Sequence, residues 1–192
     1  MRLSKSRYRK GGDMGHQKAS IFNKIVAILL CFSVLGYQNA TAQVTSEYDV
    51  KAAFLLNFAK FVEWSELSPS LKKSLPICLW KESPFGSSIE KLVGRTVGER
   101  VISVHKVDRL SQVAECGILF ISAAYSPEIE TSQSIAIENH VLRVTEASLA
   151  GSINFVTQDD RVRFDCNIVE AEKSGIKLSS QLLKLAMSVK EK

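Results

Sequence analysis

Residue types that build catalytic centres are scarce in this chain of 192 residues, which has only three histidines. Beyond residue 42 only His105 and His140 remain, with no His or Cys at metal-ligand spacing near either. Both read as structural or surface side chains. There is no Gly-x-Ser-x-Gly nucleophile elbow, no Walker loop and no Gly-x-Gly-x-x-Gly. Gly94-Arg95-Thr96-Val97-Gly98 has glycines four apart, but it continues into Glu99-Arg100 where a phosphate loop needs Lys-Ser/Thr, so it reads as a turn. Internal repeats, low-complexity tracts and long linkers are also missing, which argues for one folded domain. The apolar run Ile25 to Leu35 is well short of the roughly 20 residues that span a bilayer. Residue chemistry alone therefore offers no visible catalytic set, no metal site and no call for a cofactor.

What is present begins at the N-terminus. Residues 1–24 carry Arg2, Lys5, Arg7, Arg9, Lys10, Lys18 and Lys24 against a single Asp13. The apolar run and then Ala40-Thr41-Ala42 follow. A basic segment, a short apolar segment and a small-x-small site make up an export signal, here with cleavage after Ala42. An uncleaved anchor is the alternative. A lipid anchor is disfavoured because bulky Leu30 precedes Cys31. Removing residues 1–42 takes seven of the 25 basic and one of the 20 acidic residues, and leaves 18 and 19, a net charge of −1. The formal charge of +5 thus belongs to the export segment, and with it goes the case for nucleic acid or an anionic membrane as a partner. Residues 43–192 are expected to form a single domain of ordinary size.

Cys78, Cys116 and Cys166 remain in that domain. In an exported protein cysteines tend to pair, and an odd count leaves one over. If the runs 75–80 and 116–121 are neighbouring strands, Cys78 and Cys116 can bridge; three reduced core cysteines are the alternative.

Ser46-x-x-Asp49 resembles a capping box and opens a helix predicted to run to about Trp64. Val50, Phe54, Phe58 and Phe61 share one face of it, with Leu55 and Val62 beside them, whereas Ala53 and Leu56 fall opposite. Ser83-Pro84 marks a second helix through about Leu92. Strands are expected around Cys78, over 101–107, at Cys116 and over 140–144, with short helices over 110–114 and 127–137. Alternating runs around the loop 157–160 make a β-hairpin. One helical turn over 170–173 stops before Gly175. A last helix, capped by Ser179 or Ser180, carries Leu182, Leu183, Leu185, Ala186 and Val189. Strands alternating with helices and then a hairpin predict an α/β fold, a sandwich of helices on a mixed, partly parallel sheet.

Three features bear on binding. The first helix (Ala53, Leu56, Trp64) and the last (Leu182, Leu185, Val189) carry more apolar surface than one face needs, as either a partner surface or a second core. Arg161 and Arg163 alternate with Val162 and Phe164 on an edge strand, either to block edge pairing or to receive an anionic ligand. Asp159-Asp160 is a paired carboxylate that reads as a solvated turn.

Two blocks carry a resemblance to a known family. The run from Glu47 through Ala52-Ala53-Phe54-Leu55-Leu56-Asn57-Phe58-Ala59-Lys60-Phe61 to Val62-Glu63-Trp64 resembles the opening helix of the YfiR family of exported bacterial proteins. Ile153-Asn154-Phe155, Val162-Arg163-Phe164 and the stretch from Ala171-Glu172-Lys173-Ser174-Gly175 to Leu185-Ala186 resemble its C-terminal part. Ile77-Cys78, Pro84-Phe85-Gly86 and Cys116-Gly117-Ile118-Leu119-Phe120-Ile121 fall between them in the family order. The resemblance implies a periplasmic regulator and not an enzyme. It implies binding to the periplasmic domain of an inner-membrane diguanylate cyclase that is held inactive, so that release raises cyclic di-GMP and favours biofilm. It also pairs Cys78 with Cys116. A second disulfide of the type member has no counterpart here, because only Cys166 lies near the hairpin. A homodimer is a further candidate assembly. The competing reading is a periplasmic small-molecule-binding or accessory protein of an envelope sensor or transport complex.

Overall fold

The computed structural model describes residues 46–65, 69–146 and 150–192. The export segment expected over residues 1–42, with the cleavage expected after Ala42, lies outside the described residues. Helix α1 (Glu47–Phe61) starts as its sequence predicts: the Asp49 N–H donates to Ser46 Oγ at 3.1 Å and the Ser46 N–H to the Asp49 carboxylate at 3.3 Å. It ends earlier than expected. Val62–Trp64 leaves the helix as strand β1 and pairs antiparallel with β9 (Ile176–Leu178), Val62 facing Leu178. Pairing with a segment over 100 residues away overrides the helical periodicity at these three positions.

The main sheet contains β2 (Ser74–Trp80), β3 (Thr96–Val97), β4 (Arg100–Val107), β5 (Ile118–Ile121), β6 (Leu142–Glu146), β7 (Ile153–Gln158), β8 (Arg161–Asn167) and β10 (Val189–Lys190). Their order is β10-β8-β7-β6-β5-β2-β4-β3. Contacts from β4 through β2, β5 and β6 to β7 are parallel, and β7/β8 and β3/β4 are antiparallel. This is the mixed, partly parallel sheet with a C-terminal hairpin that the sequence predicts. The hairpin loop is tighter than expected: Asp159 and Asp160 alone turn the chain, both at positive φ (50° and 56°), as a type I′ turn requires.

Each face of the sheet is covered. Against α1 lie Ile77, Ile118, Phe120, Val144, Ile153, Phe155 and Phe164, with Phe58 packed edge-on to Phe164 at 5.1 Å. Against the other face pack Trp80, Val113, Leu119, Ile121, Ile129 and Ala136. These come in part from the 3-10 turn Leu110–Glu115 and from helices α2 (Glu128–Thr131) and α3 (Gln133–Glu138). The helix expected over 127–137 is thus two pieces. At the junction the buried Ser132 hydroxyl donates to the Ile129 carbonyl at 2.8 Å, a local bond that competes with the helical ladder. The helix expected from Ser83 is two 3-10 turns, Gly86–Ser88 and Glu90–Leu92. Phe85, wedged between the Tyr48 ring (5.2 Å) and the Phe120 ring (4.8 Å), and Gly86 at φ +52° hold the chain off a regular helical path.

Helix α4 (Ile168–Lys173) stops at Gly175, which adopts φ +64°; a Cβ there would stand 2.9 Å from His140 and Ser65. Helix α5 (Ser180–Leu185) is capped by Ser179, which accepts from the Leu182 N–H at 3.2 Å. Val189, expected on this helix, lies instead in β10, where it pairs with Cys166. No helix of the described residues is long and apolar enough to cross a membrane.

Candidate functional site

The apolar residues expected as partner surface separate into two groups. Leu56 and Leu182 are core, 8 % and 2 % exposed, packed with the residues under α1; they are withdrawn as partner surface because no side chain can fill the core and face a partner at once. Trp64 is half-buried beneath the Arg100 guanidinium, 4.8 Å from its ring centre. Ala53 is exposed. The remaining two belong to one exposed apolar stretch at the end of the chain: Leu185 (64 % exposed), Met187 (47 %) and Val189 (36 %). Met187 carries no periodic signal, because it lies where α5 gives way to the sheet: its N–H donates to the Phe164 carbonyl at 2.8 Å.

Arg161 and Arg163 are both exposed and alternate along β8 with Val162 and Phe164, which pack with the core under α1. Beyond them β10 pairs β8 only at Cys166 and Asn167, so this part of β8 is a sheet edge among the described residues. Arg161 borders a cleft of about 360 Å³ together with Glu47, Val50, Thr157 and Asp160; Arg163 does not. Two carboxylates beside one guanidinium make this cleft a poor receptor for an anion.

A second crevice, of about 370 Å³, opens at the carboxyl ends of the parallel strands. Glu82 and Ser83 after β2, Ala123 and Tyr125 after β5, Glu146 at the end of β6 and Tyr48 from α1 line it. Behind it lies a buried ion pair, Lys51 with Glu146, which the exposed Glu47 joins from outside. Lys51 Nζ stands 2.6 Å from Glu146 Oε1 and 2.5 Å from Glu47 Oε1, and the Ala123 N–H donates to Glu146 Oε2 at 3.1 Å. Burial pulls the Lys51 ammonium down, but its bonds to Glu146 and Glu47 outweigh that and hold it above its ordinary 10.5. Burial, and next the Glu146 charge, push the Tyr48 phenol up. Sequence patterns do not single out Lys51 and Glu146, which are 95 residues apart. Only the i,i+4 spacing of Glu47 and Lys51 is a local signal.

The Lys51 shift has a testable sign. With its folded value above 10.5, its stabilising contribution is complete below pH 10.5 and is lost as pH rises through the folded value. The thermal midpoint of the wild type is expected to fall on that alkaline limb, and Lys51→Met to lack that part of the fall.

Cys78 and Cys116 are bridged. Parallel β2 and β5 set Cys78 opposite Leu119, with Cys116 two residues before β5, so that the two Cα atoms are 5.8 Å apart. Cys166 is a buried free thiol, pushed up to about 12 by burial and then by the Asp165 charge. At pH 8 its thiolate fraction is about 10⁻⁴, so alkylation of the Cys166 peptide is expected to be roughly a thousandfold slower than that of an exposed thiol. In denaturant the rate should become normal; rapid labelling of the native protein, read by peptide mapping, would contradict this placement.

Among the described residues no group of three His, Cys, Asp or Glu side chains converges as a metal site would. No curated protein matches the chain. The capped first helix, the Cys78–Cys116 bridge between adjacent parallel strands and the C-terminal hairpin all lie within or at the edge of residues 48–187, which match the YfiR/HmsC-like family model, and the chain belongs to that family.

Proposed function

We propose that this protein is an exported periplasmic regulator that acts by binding, holding the periplasmic domain of an inner-membrane sensor of the diguanylate cyclase type inactive. Release of the sensor would then raise cyclic di-GMP and favour biofilm formation. The observation that carries this reading is family membership over residues 48–187. The export pattern of residues 1–42 supports it: a protein outside the cytoplasmic membrane acts on cytoplasmic chemistry only through a membrane-spanning partner. Repression by binding requires that the regulator prefer the inactive conformation of its partner, since equal affinity for both states shifts nothing.

The exposed stretch Leu185, Met187 and Val189 is the surface assigned to that partner. Leu185→Asp with Met187→Asp is expected to leave stability within about 0.5 kcal/mol of wild type, since both side chains already face solvent. The same pair should weaken capture of the sensor from envelope extracts by roughly tenfold or more. Recovery of no membrane sensor by the wild-type protein would sink the proposal. A second copy of the chain is the competing occupant, and sedimentation decides it: a dimer dispersed by the same pair of substitutions would assign the stretch to self-association.

A further inference from the structure

Open α/β sheets bind small molecules outside the carboxyl ends of their parallel strands, at the point where the strand order reverses. Here the chain passes from β2 to β4 on one side of β2 and then crosses to β5 on the other. The crevice described above sits at that switch point, between the ends of β2 and β5. Its volume, about 370 Å³, falls in the range of small-molecule sites.

The chemistry of its lining selects a ligand class. The charged side chains that line it, Glu82 and Glu146, are both carboxylates, and Tyr48, Ser83 and Ser122 add hydroxyl groups. No ammonium or guanidinium group is part of the lining. Lys51, behind the wall, is committed to Glu47 and Glu146, and Lys81, just outside it, to Glu128 at 2.7 Å; Lys106 pairs with Glu82 at 2.5 Å, but both of those side chains are exposed, where such a pair is weak and open to exchange. A carboxylate offers about four acceptor sites; Glu146 spends one on Lys51, one on the Ala123 N–H and one on the Tyr48 hydroxyl, which leaves room for a further donor. Lys81, the residue that leads from β2 into the crevice, holds φ +54°, a left-handed conformation that non-glycine residues adopt mainly where the surrounding structure enforces it.

We propose that this crevice binds a small molecule with a protonated amine on an apolar body. Glu146 receives the amine beside the Tyr48 hydroxyl, and the body lies against Pro84, Ala124 and Tyr125. The inference does not depend on the identity of any protein partner, and it can fail or stand separately from the proposed regulatory role.

Calorimetric titration of the protein purified from cells expressing the full chain tests it, with phenethylamine as the probe and phenylacetate as its anionic counterpart. Saturable one-to-one binding of phenethylamine is expected, with phenylacetate weaker by roughly tenfold or more. Ala124→Trp, a change at an exposed position that fills the crevice, is expected to abolish binding without moving the thermal midpoint. Glu146→Gln should weaken binding by roughly tenfold, and Tyr48→Phe serves in its place if the Gln variant is not folded. Absence of saturable phenethylamine binding up to its solubility limit would overturn the site. So would binding that survives Ala124→Trp, and equal affinity for phenylacetate would overturn the ligand class.

Discussion

Arg143→Met is expected to destabilise the protein by about 3–5 kcal/mol, the largest effect of any single substitution considered for this fold. Arg143 lies on β6 and is the bulkiest fully buried side chain among the described residues, at 1 % exposure. Its guanidinium donates to the Ile129 carbonyl at 2.9 Å, to the Ala150 carbonyl at 2.6 Å and to Glu170 Oε2 at 2.9 Å. Burial draws its pKa down from the ordinary value, an effect that Glu170 opposes, and the group stays charged. Methionine fills similar volume but supplies no donor, so two carbonyls and a buried carboxylate lose this partner together. Against a typical total of about 5–15 kcal/mol, that leaves a marginal protein. At roughly 2–4 °C per kcal/mol the thermal midpoint should fall by about 10 °C. Urea denaturation measures the loss directly; a cost below about 1 kcal/mol would mean that the network is not the support described here.

Glu170 adds a pH signature to the same test. Burial pushes its carboxyl up, but Lys173, Gln133 and Arg143 together outweigh burial and hold it below its ordinary 4.5. Its folded value is thus depressed, so its contribution is present above pH 4.5 and is lost as pH falls through the folded value. In Arg143→Met this acid limb should become shallower, because one of the groups that depress the Glu170 pKa is gone. Replacing Arg143 and Glu170 together by apolar residues should recover part of the loss, since a buried charge without a partner costs more than no charge at all.

The double substitution Cys78→Ala with Cys116→Ala is the second large effect, expected at about 3–4 kcal/mol from the added chain entropy of the unfolded state. The bridge spans a sequence separation of 38 residues and ties β2 to the start of β5, the two strands that flank the switch point. Removing it lets the unfolded chain expand, so the urea m-value should rise while the transition midpoint falls. A midpoint unchanged between oxidised and reduced wild-type protein would show that the native contacts around β2 and β5 hold the strands without the bridge. Cys166 is not an alternative partner in the folded protein: it is buried on β8, in the core beneath α1, whereas Cys78 and Cys116 lie in the core on the other face.

Features that depend on near neighbours are legible in the amino-acid sequence. Ser46 and Asp49 are three residues apart and satisfy each other's backbone, so their capping box depends on nothing distant. The hairpin around Asp159-Asp160 has the same local character. Periodicity is less decisive. It sets Leu56 opposite the phenylalanines of α1 and leaves open whether that side chain faces a partner; Leu56 is core because the helix is packed from more than one side. Strands β1, β9 and β10, two or three residues each, carry no signal because they are too short to show alternation. Each exists only through its pairing partner.

The sequence by itself determined the order of the major elements and the α/β class, because each rests on composition or on contacts a few residues apart. Tertiary structure decided which apolar residues became core. It also placed Lys51 against Glu146 across 95 residues and Arg143 against Glu170 across 27, and it opened a crevice where the strand order reverses. Those outcomes depend on the packing of segments that the chain brings together only once the sheet has formed, and no local pattern encodes the desolvation and charge pairing that such packing imposes.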